Sequence, residues 1–131
     1  MQTALIPIIA VFLAWDAVWW LLGVKPIFPW QLRKKLEAGA ADLVLLDVRT
    51  PPEYAWFHLP GALNVPAGLA HSDKLPLGPP SQTVVVICMT GHRSPFVSLA
   101  LKKRGFPRVR NLTGGMAGWK IYEWFSRAVN G

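Results

Sequence analysis

Only one of the 131 residues is a cysteine, and this scarcity limits the chemistry open to the chain. The single thiol, Cys88, excludes an intramolecular disulfide and any metal site built from several cysteines. Acidic side chains are also few, with 7 Asp and Glu against 14 Lys and Arg, so the formal net charge is +7. Hydrophobic residues are not scarce: they make up 52% of the chain, which excludes disorder along its whole length. The length suits one domain with an appendage.

Charge is nearly absent from the first 24 residues, where Asp16 is the one ionisable side chain and 19 residues are hydrophobic. The apolar run over 4–24 is long enough for a helix of about 30 Å, which matches the hydrocarbon core of a bilayer. A cleaved signal peptide needs a basic segment before its apolar run, and Met1-Gln2-Thr3 supplies no positive side chain. Residues 1–24 are therefore predicted to form a single transmembrane helix that anchors the protein.

Asp16 lies near the middle of this run, where an ionised carboxylate costs about 2.5–3.5 kcal/mol on insertion scales. Such a residue commonly faces a membrane-protein partner or a water-filled cavity, or it is protonated. The alternative is that the apolar residues outweigh its cost in a monomeric anchor. The orientation follows from the basic residues, which come after the run: Lys25, Arg33, Lys34 and Lys35. Since positive charge favours the inner side, the C-terminal domain is predicted to lie in the cytoplasm.

The remainder of the chain has the pattern of an α/β domain. Residues 25–29 contain two prolines and are predicted to be a linker, and the domain is predicted over 30–127. Apolar, β-branched runs predict strands at 43–48, 62–65, 83–88 and 108–112. Helical patterns lie between and after them, at 30–38, from 51, at 94–105 and from 115. This alternation predicts a central, mainly parallel sheet flanked by helices.

The candidate catalytic residue, Cys88, ends the predicted strand 83–88 and opens the loop CMTGHRS. In parallel sheets ligands bind at the carboxyl ends of strands. The curled loop can direct several amides at one anion, and the next helix, with Ser94 expected as its N-cap, adds a positive end. Both effects favour a thiolate, the form that attacks sulfur. Gly91 allows the tight turn, and Arg93 can brace the loop or meet an anion. The alternative is an inert cysteine that closes a core strand.

Four segments, in this order, resemble the single-domain rhodaneses, a family of sulfurtransferases: LLDVRTPPEY (45–54), HLPGALNVP (58–66), VVVICMTGHRS (84–94) and NLTGGMAGW (111–119). The resemblance covers roughly residues 28–127 and implies a parallel sheet with helices on both sides. It implies that Cys88 carries a sulfane sulfur as a persulfide, without cofactor or metal. It also implies that Asp47 and Arg49 support the loop, and that substrate is bound by Met89, Thr90, Gly91, His92 and Arg93.

The reaction implied by the resemblance has two steps. Sulfur passes from a donor such as thiosulfate to Cys88 and then to an external thiol, because the chain has no second cysteine. Cysteine phosphatases on the same fold use a loop one residue longer than the C-x4-R of this chain, so phosphatase activity is disfavoured. Met89 stands where many thiosulfate-using members carry a basic residue. A second hypothesis is therefore a persulfide carrier or interaction module that delivers sulfur to a membrane partner.

A cluster of basic residues lies late in the domain, at Lys102, Lys103, Arg104, Arg108 and Arg110. Such a cluster is commonly a solvated helix end, and it could also contact lipid phosphates or steer an anionic donor. No nucleic-acid recognition module is visible, since the aromatic residues are patterned for the core. The partners predicted from the sequence are therefore a small sulfur donor, a thiol acceptor and a membrane.

Overall fold

The computed structural model describes residues 2–39, 41–66, 78–79, 81–90 and 93–130. Over these residues the elements are α1 (Gln2–Leu21), β1 (Lys25–Ile27), α2 (Pro29–Glu37), β2 (Leu43–Asp47), α3 (Pro51–Trp56), β3 (Leu63–Asn64), β4 (Thr83–Ile87), α4 (Ser94–Lys103), β5 (Val109–Leu112) and α5 (Gly115–Asn130). Each of the four predicted strands is present to within one residue at either end.

The strands form one parallel sheet in the order β1-β5-β4-β2-β3. β4 lies in the middle, where four of its five residues are buried, as its β-branched and wholly apolar central residues predict. Asp47 at the end of β2 pairs with Ile87 at the end of β4. The predicted α/β class, with a parallel sheet flanked by helices, is confirmed.

Side chains of β4 alternate between two hydrophobic clusters, one on each face of the sheet. Val85 and Ile87 pack on the face covered by α2 and α5, through Leu32, Met116 and Trp119. Val84, Val86 and Cys88 pack on the face covered by α4, through Val97 and Leu101. The side chain of Cys88 therefore belongs to the α4 side of the sheet.

The stretch predicted as a linker continues the sheet. Lys25–Ile27 forms the edge strand β1, which pairs in parallel with β5, and Ile27 is buried. Pro26 lacks an amide hydrogen, which an edge strand tolerates because one of its sides has no neighbour. The amide of Thr113 donates to the Ile27 carbonyl at 3.0 Å. This strand couples α1 directly to the domain.

α1 is a helix long and apolar enough to span a membrane, with 19 residues from Thr3 to Leu21 and few buried side chains. From Thr3 to Leu21, the buried side chains are those of Asp16 and Trp19. The Thr113 hydroxyl donates to Asp16 Oδ2 at 2.7 Å, and the Trp19 ring meets Phe96 of α4 edge-on, with 4.8 Å between ring centroids. The carboxyl-terminal half of α1 therefore lies against the domain.

Candidate active site

Cys88 directly follows β4 at the carboxyl end of the central strand, and its side chain is fully buried. The loop that follows leads into α4. Met89 and Thr90 are half-buried, and Arg93 is the N-cap residue of α4. Gly91 and His92, both predicted to bind substrate, lie outside the described residues.

The start of α5 packs under this loop. The Met116 amide donates to the Cys88 carbonyl at 2.8 Å, and the Ala117 amide donates to the Met89 carbonyl at 2.9 Å. In a trans peptide the carbonyl and the following amide point in opposite directions. The amides of Met89 and Thr90 therefore point away from the start of α5.

Ser94 brings a hydroxyl group to the sulfur. Its Oγ lies 3.4 Å from Cys88 Sγ and also contacts the side-chain amide oxygen of Asn111 on β5. All three side chains are buried. The sequence predicts Ser94 as the N-cap of α4, but Arg93 takes that position and Ser94 is the first helical residue. The Ser94 hydroxyl contacts the sulfur and Asn111 instead of the amides of α4.

Arg93 braces the loop against α3. Its Nη2 donates to both carboxylate oxygens of Glu53, at 3.1 and 3.3 Å. Glu53 also accepts hydrogen bonds from the amide and the hydroxyl of Thr50, at 3.0 and 2.8 Å. Desolvation works against ionisation, but the hydrogen bonds from Thr50 and Arg93 prevail and lower the pKa of Glu53 to about 2. Arg93 therefore has a permanently charged partner at neutral pH.

Asp47 and Arg49 form a fully buried ion pair at the end of β2, next to β4. Arg49 Nε donates to both oxygens of Asp47, at 3.0 and 3.1 Å, and its Nη2 donates to Asp47 and to the Phe57 carbonyl. The side-chain amide of Asn64 donates to the backbone carbonyls of Asp47 and Arg49. These bonds hold the segment after β2. The Val48 amide donates to the Ile87 carbonyl at 2.9 Å, which joins that segment to the end of β4.

The loop is thus held through separate supports: the backbone carbonyls of Cys88 and Met89 accept hydrogen bonds from the start of α5, and the side chain of Arg93 is paired with Glu53 of α3. The side chains of Cys88 and Met89 pack on opposite faces of the sheet. The predicted supports Asp47 and Arg49 lie one strand away and bind each other. The sequence pattern does not identify three residues of this region: Ser94 as a contact of the sulfur, Asn111 and Glu53. The spacing Thr-x-x-Glu at 50–53 is a capping-box pattern that identifies Glu53 as a helix-start residue. No such signal marks Asn111. It contacts Ser94 because β5 lies next to β4 in the sheet.

A thiol in this position suits nucleophilic chemistry at an electrophilic sulfur. The hydroxyl of Ser94 lies at hydrogen-bonding distance from Sγ. Within the described part of the chain, no group of three His, Cys, Asp or Glu side chains is arranged to hold a metal ion.

Comparison with known proteins shows a consistent similarity. The family model for the rhodanese-like domain matches residues 29–122. The "Probable adenylyltransferase/sulfurtransferase MoeZ" of Mycobacterium tuberculosis is 39% identical over 94 residues, which are 71% of this chain and 24% of that protein. This chain thus spans about a quarter of the length of that relative.

Two further proteins share more of their own length with this chain. A sulfurtransferase of Allochromatium vinosum is 37% identical over 82 residues, which are 63% of this chain and 76% of that protein. The human single-domain sulfurtransferase TSTD1 has a structure that superposes with a TM-score of 0.66 at 25% identity. That superposition covers 72% of this chain and 93% of the human chain.

Proposed function

This chain belongs to the rhodanese-like family, and from that premise we propose that it is a sulfurtransferase whose Cys88 carries the transferred sulfur as a persulfide. One observation carries the proposal: Cys88 lies at the carboxyl end of the central strand, with the Ser94 hydroxyl 3.4 Å from its sulfur and the amides of Met89 and Thr90 directed away from α5. Such donors stabilise a thiolate and a terminal persulfide anion by hydrogen bonding.

In the first step, the Cys88 thiolate attacks the outer sulfur of a sulfane donor. With thiosulfate, the new bond joins Sγ to that sulfur, the sulfur–sulfur bond of the donor breaks, and sulfite leaves with the bonding electron pair. Charge is conserved, because a thiolate and a thiosulfate dianion become a persulfide anion and a sulfite dianion. This is covalent catalysis in two half-reactions.

In the second step, the outer sulfur passes to an external nucleophile, such as a thiolate, and the Cys88 thiolate is restored. The acceptor is external because the chain contains one cysteine and cannot resolve the persulfide by forming an internal disulfide. The substrate-binding roles that we propose for the loop from Met89 to Arg93 apply to both half-reactions.

A second candidate function is that of a persulfide carrier, which takes up sulfur and delivers it to a membrane partner without turning over small donors. Met89 favours it, since this apolar side chain packs against the core where a cation would attract a dianionic donor. The cations Arg49 and Arg93 are each paired with a carboxylate. The enzyme should therefore turn over thiosulfate in the steady state, and the carrier should not.

The test uses the full chain in detergent, with thiosulfate as donor and cyanide as acceptor. Two quantities are measured: the thiocyanate that is formed and the intact mass of the protein. We expect a mass increase of one sulfur atom that is absent in Cys88→Ser and is removed from the wild type by dithiothreitol. Thiocyanate turnover supports the enzyme, and a persulfide without turnover supports the carrier. If no sulfane donor adds sulfur to Cys88, both candidates are wrong.

We also propose that α1 attaches the domain to a membrane with the domain on the cytoplasmic side. The helix is long and apolar enough to span a membrane, and the basic residues that follow it favour the cytoplasmic side for the domain. The expected result is a chain that resists carbonate extraction and is digested by protease added to inverted vesicles. Recovery in the carbonate-soluble fraction would contradict membrane attachment. A membrane partner at Asp16 stays a prediction, and such a partner would compete with Thr113 for the carboxylate.

A further inference from the structure

A cleft between α1 and β1 brings charged side chains next to an apolar face of the candidate membrane helix. The cleft encloses about 470 Å³, which is within the range of small-ligand sites, roughly 300–1,000 Å³. Its apolar wall is formed by Leu13, Ala17 and Trp20 of α1. These residues are four and three positions apart, so they lie on one face of the helix.

The positive charge of the cleft comes from Lys25 of β1 and Arg110 of β5. Lys25 is exposed and Arg110 is half-buried. They are register partners in adjacent parallel strands, so both side chains project from the same face of the sheet, with the strands about 4.8 Å apart. Within the part of the chain that the structure describes, neither cation forms an ion pair. Because two neighbouring like charges repel, an anion placed between them is stabilised by both.

Asp16 also lines the cleft, and its carboxylate limits the charge of the anion that fits there. This side chain is buried and accepts the hydrogen bond from Thr113 at 2.7 Å. With two cations and one carboxylate, the formal net charge of the three side chains is +1. A singly charged phosphodiester balances this charge, whereas a phosphate monoester carries about −1.5 to −2 at pH 7 and exceeds it.

The order of these groups along α1 matches the order of groups in a phospholipid. The amides of Gly23 and Val24 donate to the carbonyls of Trp20 and Trp19, at 2.9 and 2.8 Å. The chain therefore turns directly after α1 and places Lys25 at the carboxyl-terminal end of the helix. The apolar face extends from there toward the N-terminal end, which is the end that enters a bilayer because the domain follows the other end.

We propose that this cleft binds one anionic phospholipid, with its phosphodiester between Lys25 and Arg110 and an acyl chain along Leu13, Ala17 and Trp20. The inference goes beyond sulfur transfer and rests on the proposed attachment of α1 to a membrane. A lipid bound in this way contacts α1 and both edge-side strands at once. It therefore holds the domain at the level of the lipid head groups.

The experiment measures lipid binding to the full chain in detergent by native mass spectrometry. The probes are phosphatidylglycerol and phosphatidylcholine with identical acyl chains, since the first has a net negative charge and the second has none. We expect the wild type to bind one phosphatidylglycerol in preference to phosphatidylcholine. Lys25→Gln and Arg110→Gln should each weaken phosphatidylglycerol binding about fivefold, and the double variant about 25-fold.

Two matched controls separate the cleft from the surrounding surface. Arg108→Gln removes the same charge as Arg110→Gln from an exposed position two residues away, outside the cleft, and should change binding less than about twofold. Ala17→Trp fills the cleft and should weaken phosphatidylglycerol binding at least about fivefold. Ala14→Trp adds the same side chain at an exposed position of α1 outside the cleft and should keep wild-type binding.

Equal losses of binding in Arg108→Gln and Arg110→Gln overturn the inference, as does equal binding of the two lipids by the wild type. Full competition by glycerophosphoglycerol at the concentration of the lipid also overturns it, because the cleft then takes a free phosphodiester and not a lipid. Flotation with vesicles tests the membrane attachment separately. A chain that floats with phosphatidylcholine vesicles but does not prefer phosphatidylglycerol keeps its attachment and lacks the site. A chain that floats with vesicles of neither lipid contradicts the attachment itself.

Discussion

Ser94 contacts the sulfur of Cys88 from the first turn of α4, at 3.4 Å, and it also contacts Asn111. A hydroxyl carries one hydrogen, so it can donate either to the sulfur or to the Asn111 amide oxygen. When Sγ becomes an anion, donation to sulfur becomes the stronger of the two bonds. Ser94 is therefore a positioning residue that responds to the charge on Cys88.

Ser94→Ala removes this donor, and we expect it to slow persulfide formation about tenfold, which corresponds to about 1.4 kcal/mol of lost stabilisation. The measurement is single-turnover transfer from a sulfane donor, followed by intact mass. Ser98→Ala is the matched control, because the Ser98 hydroxyl is equally buried but donates to the Ser94 carbonyl at 2.9 Å. Equal rates of persulfide formation in Ser94→Ala and Ser98→Ala would contradict a specific role for Ser94.

Glu53 gives a pH-dependent contribution to stability. Its pKa is about 2 in the folded chain against a usual value of 4.5, so the ionised form favours folding. The contribution is complete above pH 4.5 and is lost as the pH falls toward 2. Because both partners are partly exposed, Glu53→Gln should lower the free energy of unfolding at pH 7 by about 1 kcal/mol.

The difference in unfolding free energy between wild type and Glu53→Gln should shrink steadily from pH 4.5 to pH 2.5, as measured by denaturant unfolding in detergent. Glu37→Gln, which removes an exposed ion pair with Arg33 within α2, is the control and should cost less than about 0.5 kcal/mol. A Glu53→Gln difference that stays constant over this pH range would show that the carboxylate charge does not stabilise the loop.

The start of α5 holds the Cys88 loop through hydrogen bonds to its backbone carbonyls. The close approach of α5 to that backbone depends on Gly115. A Cβ atom at this position would lie 2.3 Å from the Cys88 carbonyl oxygen and 2.7 Å from the Met89 carbonyl carbon, and φ is +57°. Both neighbours are backbone atoms, so no side-chain rotation relieves the overlap. An alanine here has to push α5 away from the loop.

We expect Gly115→Ala to lower the free energy of unfolding by more than about 3 kcal/mol and to abolish persulfide formation. Gly39→Ala is the matched control: its φ of +66° is similar, but nothing lies within 4 Å of the added Cβ atom. Left-handed backbone strain alone should cost that variant about 1 kcal/mol. Denaturant unfolding measures both variants. Similar losses in the two would mean that the approach of α5 is not tight.

The elements were predictable where local pattern decides them, and the contacts between them were not. The continuous apolar run of β4 and the alternation of strands and helices predict the sheet, because a central parallel strand is buried on both faces. The edge strand β1 was missed, since its proline and short length are typical of a linker. The Ser94 hydroxyl and the backbone approach at Gly115 depend on strand order and helix packing, which no local pattern encodes.

At the scale of the whole molecule, the position of α1 conflicts with a complete crossing of the membrane. One side of α1 from Val11 onward faces the domain, across an apolar cleft at Thr90 and through the contacts of Asp16 and Trp19, while the side chains on its other side are exposed. This leaves residues 2–10 for the bilayer, about 14 Å of helix, whereas the hydrocarbon core is about 30 Å thick. A docked α1 reaches no farther than one leaflet. The single crossing predicted from the sequence requires release of the Asp16 and Trp19 contacts.

Asp16 favours the docked arrangement twice over. Its carboxylate gains the hydrogen bond from Thr113, and it avoids the bilayer interior, where an ionised carboxylate costs about 2.5–3.5 kcal/mol. Asp16→Leu removes both effects and completes an uninterrupted apolar helix. The native chain should therefore be attached through one leaflet, and Asp16→Leu should shift α1 toward crossing.

Labelling of a single cysteine at position 2 tests this expectation. Gln2→Cys is placed in the Cys88→Ser background, and a membrane-impermeant maleimide is added to the face of sealed vesicles opposite the domain. We expect little labelling with Asp16 present and at least a severalfold increase with Asp16→Leu, because only a crossing helix exposes residue 2 on that face. A cysteine at Leu21, labelled from the side of the domain in both backgrounds, is the control. Strong labelling of position 2 with Asp16 intact would mean that α1 leaves the domain and crosses the bilayer.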